Sequence, residues 1–326
     1  MAKQNKEGLS TESYKGVRDF YPEDMAVQNY IFDVWRKVSE QFGYQEYTAS
    51  ILEPAELYRQ KSGDEIVNDQ MYIFTDKGDR EVALRPEMTP TLARMVAGKR
   101  KSLKFPLRWY SIPNLFRYER PQRGRKREHW QLNCDLLGTI DNDPVNAEVE
   151  IISIAHKIMK EFGAKDEDFL IRVGNRTLIE SKLEKIGLAR ENYKSFFQLK
   201  DRKGKISKEE YENGMKSIGI SIEKLSNEIE NLNDDSKLID SLGKAEIKNV
   251  TFDTNIVRGF DYYTGMVFEV FDTNPENKRS LFGGGRYDNL LEMFGVEPVP
   301  TVGFGMGDVT IKDFLTTHNL PLTSNR

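Results

Sequence analysis

The sequence is poor in the residues that build disulfides and metal sites. It has one cysteine, Cys134, in 326 residues, which excludes an intramolecular disulfide and a thiolate metal cluster. Its three histidines, His129, His156 and His318, lie too far apart for a zinc motif. No apolar run is long enough to span a bilayer. The opening MAKQNKEGLSTESYKG is polar and lacks the apolar stretch of a secretion signal. Nor is one sign of charge in excess: 48 Lys and Arg against 52 Asp and Glu leave −4. Only a local basic patch could therefore meet a nucleic acid. These absences lead to the expectation of a cytoplasmic protein with no membrane segment and no metal site of its own.

What is present suits a folded enzyme-sized chain. Hydrophobic residues at 38% and charged residues at 31% fit a globular protein with a charged surface. The length allows one large domain, or one domain and a smaller one. Residues 1–14 read as a mobile tail. Pro22, Glu23 and Asp24 open a helix, with Val27, Ile31, Val34, Trp35, Val38 and Phe42 at helical spacing and Gly43 at its end. YQEYTASILEP reads as one strand stopping at Pro54. MYIFTD and REVALRPE read as a hairpin around Lys77-Gly78-Asp79. LKFPLRWYSIPNLFRYE is extended, and HWQLNCDLLGTI is its antiparallel partner. Asp143-Pro144 caps a second long helix with Val145, Val149, Ile152, Met159 and Phe162 on one face, ending at Gly163.

FLIRVGN is a short strand, after which the composition shifts. Residues 176–248 are rich in Lys, Glu, Asn and Ser with helical periodicity, which marks a small, exposed helical insertion. Strands return at NVTFDTNIVRGFDYYTGMVFEVF. GGGRYDNLLEMFG reads as a turn and a helix, and TVGFGMGDVTIKDFL as a Gly-rich strand running into a helix. Strands do not alternate regularly with crossover helices, so the fold class is α+β with a mainly antiparallel sheet. Its main domain comprises 15–175 and 249–326.

The sharpest chemical feature is FRYERPQRGRKREHWQ. Arg117, Arg120, Arg123, Arg125, Lys126 and Arg127 fall within eleven residues, and Pro121 and Gly124 put the middle of the run in a loop between strands. Arginine forks match phosphate oxygens bidentately, so such a loop suits polyphosphate or an RNA end. A solvated turn is the plain alternative.

The segment resembles motif 2 of class II aminoacyl-tRNA synthetases, and specifically of the histidyl-tRNA synthetase family. The resemblance implies that Arg117, followed by Glu119, holds the ATP α-phosphate and the substrate carboxylate. It places Arg125 on the distal phosphates, His129 near the adenine and the Arg120–Arg127 loop at the tRNA acceptor end. Gln131 and Asp135 are at alternate positions of the returning strand and share a face. The family implies that Gln131 binds the substrate amino group and Asp135 the imidazole. IVRGFDYYTGMVFEVF is similar to the histidine-specific signature of this family. It implies a second α-phosphate cation in Arg258, an imidazole partner in Tyr263 and a pocket wall in Tyr262. Taken alone, the paired tyrosines would read as an edge strand.

ALRPEMTP puts Glu87 and Thr89 at strand-like spacing, where the family recognises the α-ammonium. Tyr287 and a Gly283–Gly285 turn would form pocket wall. TVGFGMGDVT is similar to motif 3, with Gly305 and Gly307 against the adenine. Many class II enzymes carry an arginine just after these glycines; this chain has Asp308-Val309-Thr310. Motif 1 would be the Pro22 helix and the strand ending at Pro54, a homodimer interface in class II enzymes, although that helix face fits ordinary core equally.

The resemblance runs from about Tyr14 to the end of motif 3. It implies a catalytic core without the C-terminal anticodon-binding domain, activating L-histidine with ATP, with Mg²⁺ carried on the phosphates, and charging tRNA(His). The alternative is a histidine-binding paralogue that regulates ATP phosphoribosyltransferase. Such regulators tend to lose the ATP-gripping set, whereas Arg117, Glu119, Gln131 and Arg258 are all present here. A plain RNA-binding module would not need a buried Glu87/Asp135 pair.

Overall fold

The computed structural model describes residues 9–60, 62, 66–204, 206–230, 232, 237–257, 262–277 and 279–323. Most of the tail expected over 1–14 therefore lies outside the described residues. No described helix is long and apolar enough to cross a membrane.

The sheet is organised around its longest strand. The strands are β1 (Gln45–Glu46), β2 (Leu52–Pro54), β3 (Tyr72–Thr75), β4 (Glu81–Leu84), β5 (Leu107–Ser111), β6 (Asn114–Phe116), β7 (Glu128–Leu137), β8 (Phe169–Asn175), β9 (Val250–Phe252), β10 (Met266–Asp272), β11 (Ser280–Arg286) and β12 (Thr301–Gly307). The large sheet has the order β1-β5-β7-β12-β11-β10-β8-β9, and β6 also pairs with β7. Its inner pairs are antiparallel, and only the outer pairs β1–β5 and β8–β9 are parallel. The expected mainly antiparallel α+β fold is what forms.

Alternation along β7 sorts the two faces. Leu132, Cys134 and Leu136 point into the main core, together with Val302, Phe304 and Met306 of β12. Helices Pro22–Gln41, Pro144–Glu161 and Asp308–Thr317 cover that face with Ile31, Trp35, Ile151, Ile158, Ile311 and Phe314. The capping signals act as the sequence implies: Asp143 accepts from the Val145 N–H at 3.0 Å, and Gly43 and Gly163 take left-handed φ values of 79° and 94° after the first two helices. The buried stripe of Pro144–Glu161 is broader than the expected one. It adds Ala147, Ile151, Ile154, Ala155 and Ile158, while Val145 and Val149 are only partly buried.

Three expectations change. YQEYTASILEP is not one strand: β1 joins the large sheet and β2 a separate sheet in the order β2-β4-β3. The chain crosses between them because buried Arg85 takes the Ala49 carbonyl at 2.8 Å and its own N–H takes that of Ile51 at 3.0 Å. Gly283–Gly285 form no turn but lie inside β11. A side chain at Gly284 would overlap the Gly303 carbonyl and come 2.6 Å from Phe304 Cα, so only glycine lets β11 and β12 close up. The region 176–248 is not merely exposed helices. Ile179, Leu183, Phe196, Phe197, Tyr211, Met215 and Leu225 make a core of its own, while Leu238 and Leu242 of the Lys237–Lys244 helix join the main core.

Candidate active site

The face of β7 opposite the main core carries Gln131, Asn133 and Asp135. Their registered neighbours on β12 are Gly307, Gly305 and Gly303, and beyond these lie Gly283 and Gly285 of β11. Three polar side chains thus lean across a floor of bare backbone. The fit is close: a Cβ on Gly305 would sit 2.8–3.0 Å from the Gln131 amide, and one on Gly303 would overlap Asp135 Oδ1 and stand 2.5 Å from the Tyr287 hydroxyl.

The cleft over this floor is lined by Glu87, Thr89, Arg117, Gln131, Asn133, Asp135, Tyr262, Tyr263 and Tyr287. Glu87 and Thr89 do meet there, but not from a strand. β4 ends at Leu84, and Thr89 is the first residue of the Thr89–Lys99 helix. Glu87 is 3% exposed; it accepts hydrogen bonds from the Tyr262 hydroxyl at 3.1 Å and from the Ser62 hydroxyl. Burial raises its pKa, and these hydroxyls and the Arg117 charge oppose the rise.

Asp135 is 4% exposed and accepts from the Tyr287 hydroxyl. Burial pushes its pKa up to about 7, against the pull of that one hydrogen bond. The folded protein therefore binds more protons at Asp135 than the unfolded chain between the ordinary carboxylate range and pH 7, and its stability falls as pH rises through that window. The melting temperature of the wild type, relative to Asp135→Asn, should accordingly drop between pH 5 and 8. A difference that stays flat across this range would count against the buried, uncompensated carboxyl.

Arg117 follows β6. Its N–H donates to the Arg127 carbonyl at 2.9 Å and its Nε to the Pro86 carbonyl at 2.8 Å, which ties it to the turn carrying Glu87. Glu119 pairs with Arg125 at 3.3 Å. His129 stands on the same strand face as Gln131. Burial lowers its pKa to about 3, helped by the Arg117 and Arg18 charges, so the ring is neutral at physiological pH. Arg258 and Asp261 of the signature lie outside the described residues.

The basic loop is a turn, as expected, with Gly124 at φ 74° and a bridge between Gln122 and Arg125. Its members are not equivalent. Arg127 is 8% exposed; its guanidinium lies 3.9 Å over the Tyr118 ring and donates to the Tyr14 hydroxyl at 3.0 Å. Arg123 reaches the Asp308–Thr317 helix at Thr317, 3.3 Å away. Asp308, where a motif 3 arginine was missed, is 1% exposed. It accepts from Arg18 at 2.8 Å, Gln28 at 3.1 Å and the Trp130 N–H at 2.9 Å.

Comparison with known proteins decides the family. The family model described as histidyl-tRNA synthetase matches residues 16–212 and 215–309. The chain belongs to the histidyl-tRNA synthetase family. It is 47% identical to the histidine–tRNA ligase of Leptospira biflexa and 40% identical to that of Thermoplasma volcanium, covering in each case 96% of this chain and 76% of the relative. The fold is also that of a solved Bacillus halodurans structure described as an ATP phosphoribosyltransferase regulatory subunit/histidyl-tRNA synthetase, at TM-score 0.77 and 24% identity over 94% of this chain and 84% of that one.

Asn133, which lines the cleft, and Ser62, which donates to Glu87 from behind it, were not singled out in the sequence. Asn133 was legible, since it shares the alternate-face spacing of Gln131 and Asp135. Ser62 was not, because a single serine far from any motif gives no signal.

Proposed function

We propose that this synthetase-family chain activates L-histidine with ATP to histidyl-adenylate, releases pyrophosphate and transfers the histidyl group to tRNA(His). The observation that carries this reading is Arg117, held by the Pro86 carbonyl, in one glycine-floored cleft with two buried carboxyl groups, Glu87 and Asp135. Glu87 with Thr89 would take the α-ammonium, with Gln131 beside it. Asp135 and Tyr263 would take the imidazole, and Tyr262 orients Glu87. The histidine carboxylate attacks the α-phosphorus, the bond to pyrophosphate breaks, and Arg117 and Arg258 offset the charge growing on the phosphate oxygens. Protein groups supply position and charge, and no covalent enzyme intermediate is needed.

ATP would lie toward Glu119, Arg125, His129, Gly305 and Gly307, with Arg125 exchanging Glu119 for the distal phosphates. Mg²⁺ would arrive with ATP, carried on its phosphates as part of the MgATP substrate. The Arg120–Arg127 loop would meet the tRNA acceptor end, and the division into a main domain and a 176–248 insertion belongs to the same reading, as does a cytoplasmic location. The regulatory alternative is the weaker one. The relatives at 47% and 40% identity are histidine–tRNA ligases, and the structure with the regulatory description, at 24%, speaks for the fold alone.

Exchange of labelled pyrophosphate into ATP tests this directly. Exchange with histidine and with no other amino acid is expected; histidine binding without exchange would favour the regulator.

A homodimer is part of the proposal. On β2-β4-β3 the register sets Leu52, Leu84 and Tyr72 in one row and Pro54, Val82 and Phe74 in the next, on one face. Leu52 and Phe74 are 43% and 45% exposed, and such an apolar sheet face suits a self-complementary interface. Phe74→Glu should raise the dimer dissociation constant at least about tenfold, read by sedimentation. An unchanged dimer would place the interface elsewhere.

A further inference from the structure

Ile256 and Val257 are consecutive, yet they are buried in two different cores. Ile256 packs with Tyr262, Tyr263, Tyr287 and Val267, which back the cleft. Val257, 1% exposed, packs into the core of the helical insertion with Phe196, Phe197 and Met215. The residue before them is tied in the same divided way. Asn255 Oδ1 accepts from Lys200 Nζ at 2.9 Å and from Lys203 at 3.4 Å, both from the insertion. Its own N–H and Nδ2 donate to Asp253 Oδ1 at 2.8 and 2.9 Å.

On the sheet side the turn is held as firmly. The Asp253 N–H donates to the Val173 carbonyl of β8 at 2.8 Å, and the Asp253 carboxylate pairs with Arg172 at 3.3 Å. A side chain at Gly174 would overlap the Ile256 carbonyl, so the turn lies directly on β8. Lys200 is itself unusual for an insertion helix, being 1% exposed. A buried ammonium is costly unless it is well paired, so its placement against Asn255 is a built contact rather than a surface accident.

We propose that the helical insertion positions the histidine-activation site, acting through Lys200 and Val257 on the 253–257 turn. This rests on the activation reading above. Close-packed cores pass small displacements on rather than absorb them. A shift of the insertion therefore moves Val257, then Ile256, then the tyrosine wall beside Asp135 and Glu87. Val257 and Lys200 are positioning residues, since neither lines the cleft.

The test uses the full chain in histidine-dependent pyrophosphate exchange without tRNA. Val257→Ala should lower kcat about tenfold or more, with the KM for ATP held within about threefold, and Val257→Ile should restore it. Ile158→Ala removes a fully buried side chain from the main core instead, at a residue outside both the insertion and the 253–257 turn. It should leave kcat near the wild-type value at temperatures where the variant remains folded. Lys200→Met keeps the stem and removes the ammonium; it should repeat the Val257→Ala loss and decides the matter if Val257→Ala does not fold. Equal kcat losses for Val257→Ala and Ile158→Ala would overturn the proposal, leaving only general support of the fold. So would normal kcat in both Val257→Ala and Lys200→Met. A wild type inactive with histidine would instead overturn the activation reading itself.

Discussion

Arg117→Ala lowers histidine-dependent pyrophosphate exchange by about 10²–10³, the usual cost of one preorganised charge contact to a developing oxyanion. The prediction follows from how the side chain is held. Its Nε is committed to the Pro86 carbonyl, so the plane of the guanidinium is fixed beside the turn that carries Glu87. The group does not have to be gathered from solvent when charge grows on the α-phosphate. Lysine would not replace it, because an ammonium on a flexible stem has neither the fork nor the anchor. Arg117→Lys should therefore recover little of the loss. Both variants should keep wild-type circular dichroism, since the backbone N–H to Arg127 is unaffected. Exchange within about threefold of wild type in a folded Arg117→Ala protein would falsify the assignment.

Gly303→Ala should raise the KM for histidine by about 10² while moving the KM for ATP far less. The added methyl would overlap Asp135 Oδ1, stand 2.5 Å from the Tyr287 hydroxyl and 2.8 Å from the Cys134 carbonyl. β12 is hydrogen-bonded on both sides, to β7 and to β11, so the strand has no room to back away. Asp135 must swing out instead and lose both its tyrosine and its aim; a displacement near 1 Å is worth about 10² in such sites. The overpacking also costs about 1–3 kcal/mol of stability. Gly305→Ala makes a useful contrast. It meets the amide end of Gln131 at 2.8–3.0 Å, a flexible group that can turn aside, so a smaller rise is expected. Steady-state kinetics with each substrate varied, beside thermal melts, would separate the two. A Gly303→Ala enzyme with the histidine KM of the wild type would remove Asp135 from the proposed imidazole site.

Much of this was legible in the sequence because it depends on local period. Alternation along HWQLNCDLLGTI put Gln131 and Asp135 on one face. Asp143-Pro144 and the glycines at 43 and 163 bounded helices by capping chemistry that needs no tertiary context. The misreadings share the opposite property. GGGRYD looks like a turn to any local rule, yet its glycines are strand residues selected by how near β12 comes. The break within YQEYTASILEP is imposed by Arg85, more than thirty positions on, which claims the Ala49 carbonyl. The insertion read as surface because its few apolar residues are thinly spread; only in three dimensions do Phe196, Tyr211 and Met215 meet. Ser62 reaches Glu87 from outside any helix or strand, where no period exists to betray it.

The place of β12 in the sheet has a consequence for how the molecule is made. It is the last of the described strands in the chain, yet it lies between β7 and β11. During synthesis, the half-sheet β1-β5-β7 and the half-sheet β11-β10-β8-β9 must both wait with an open edge until residues 301–307 leave the ribosome. Open edges of that kind invite pairing with other chains. The glycine floor that shapes the cleft is thus also the seam along which the nascent protein closes, and a chain stalled before residue 301 would hold almost every cleft residue and still have no cleft.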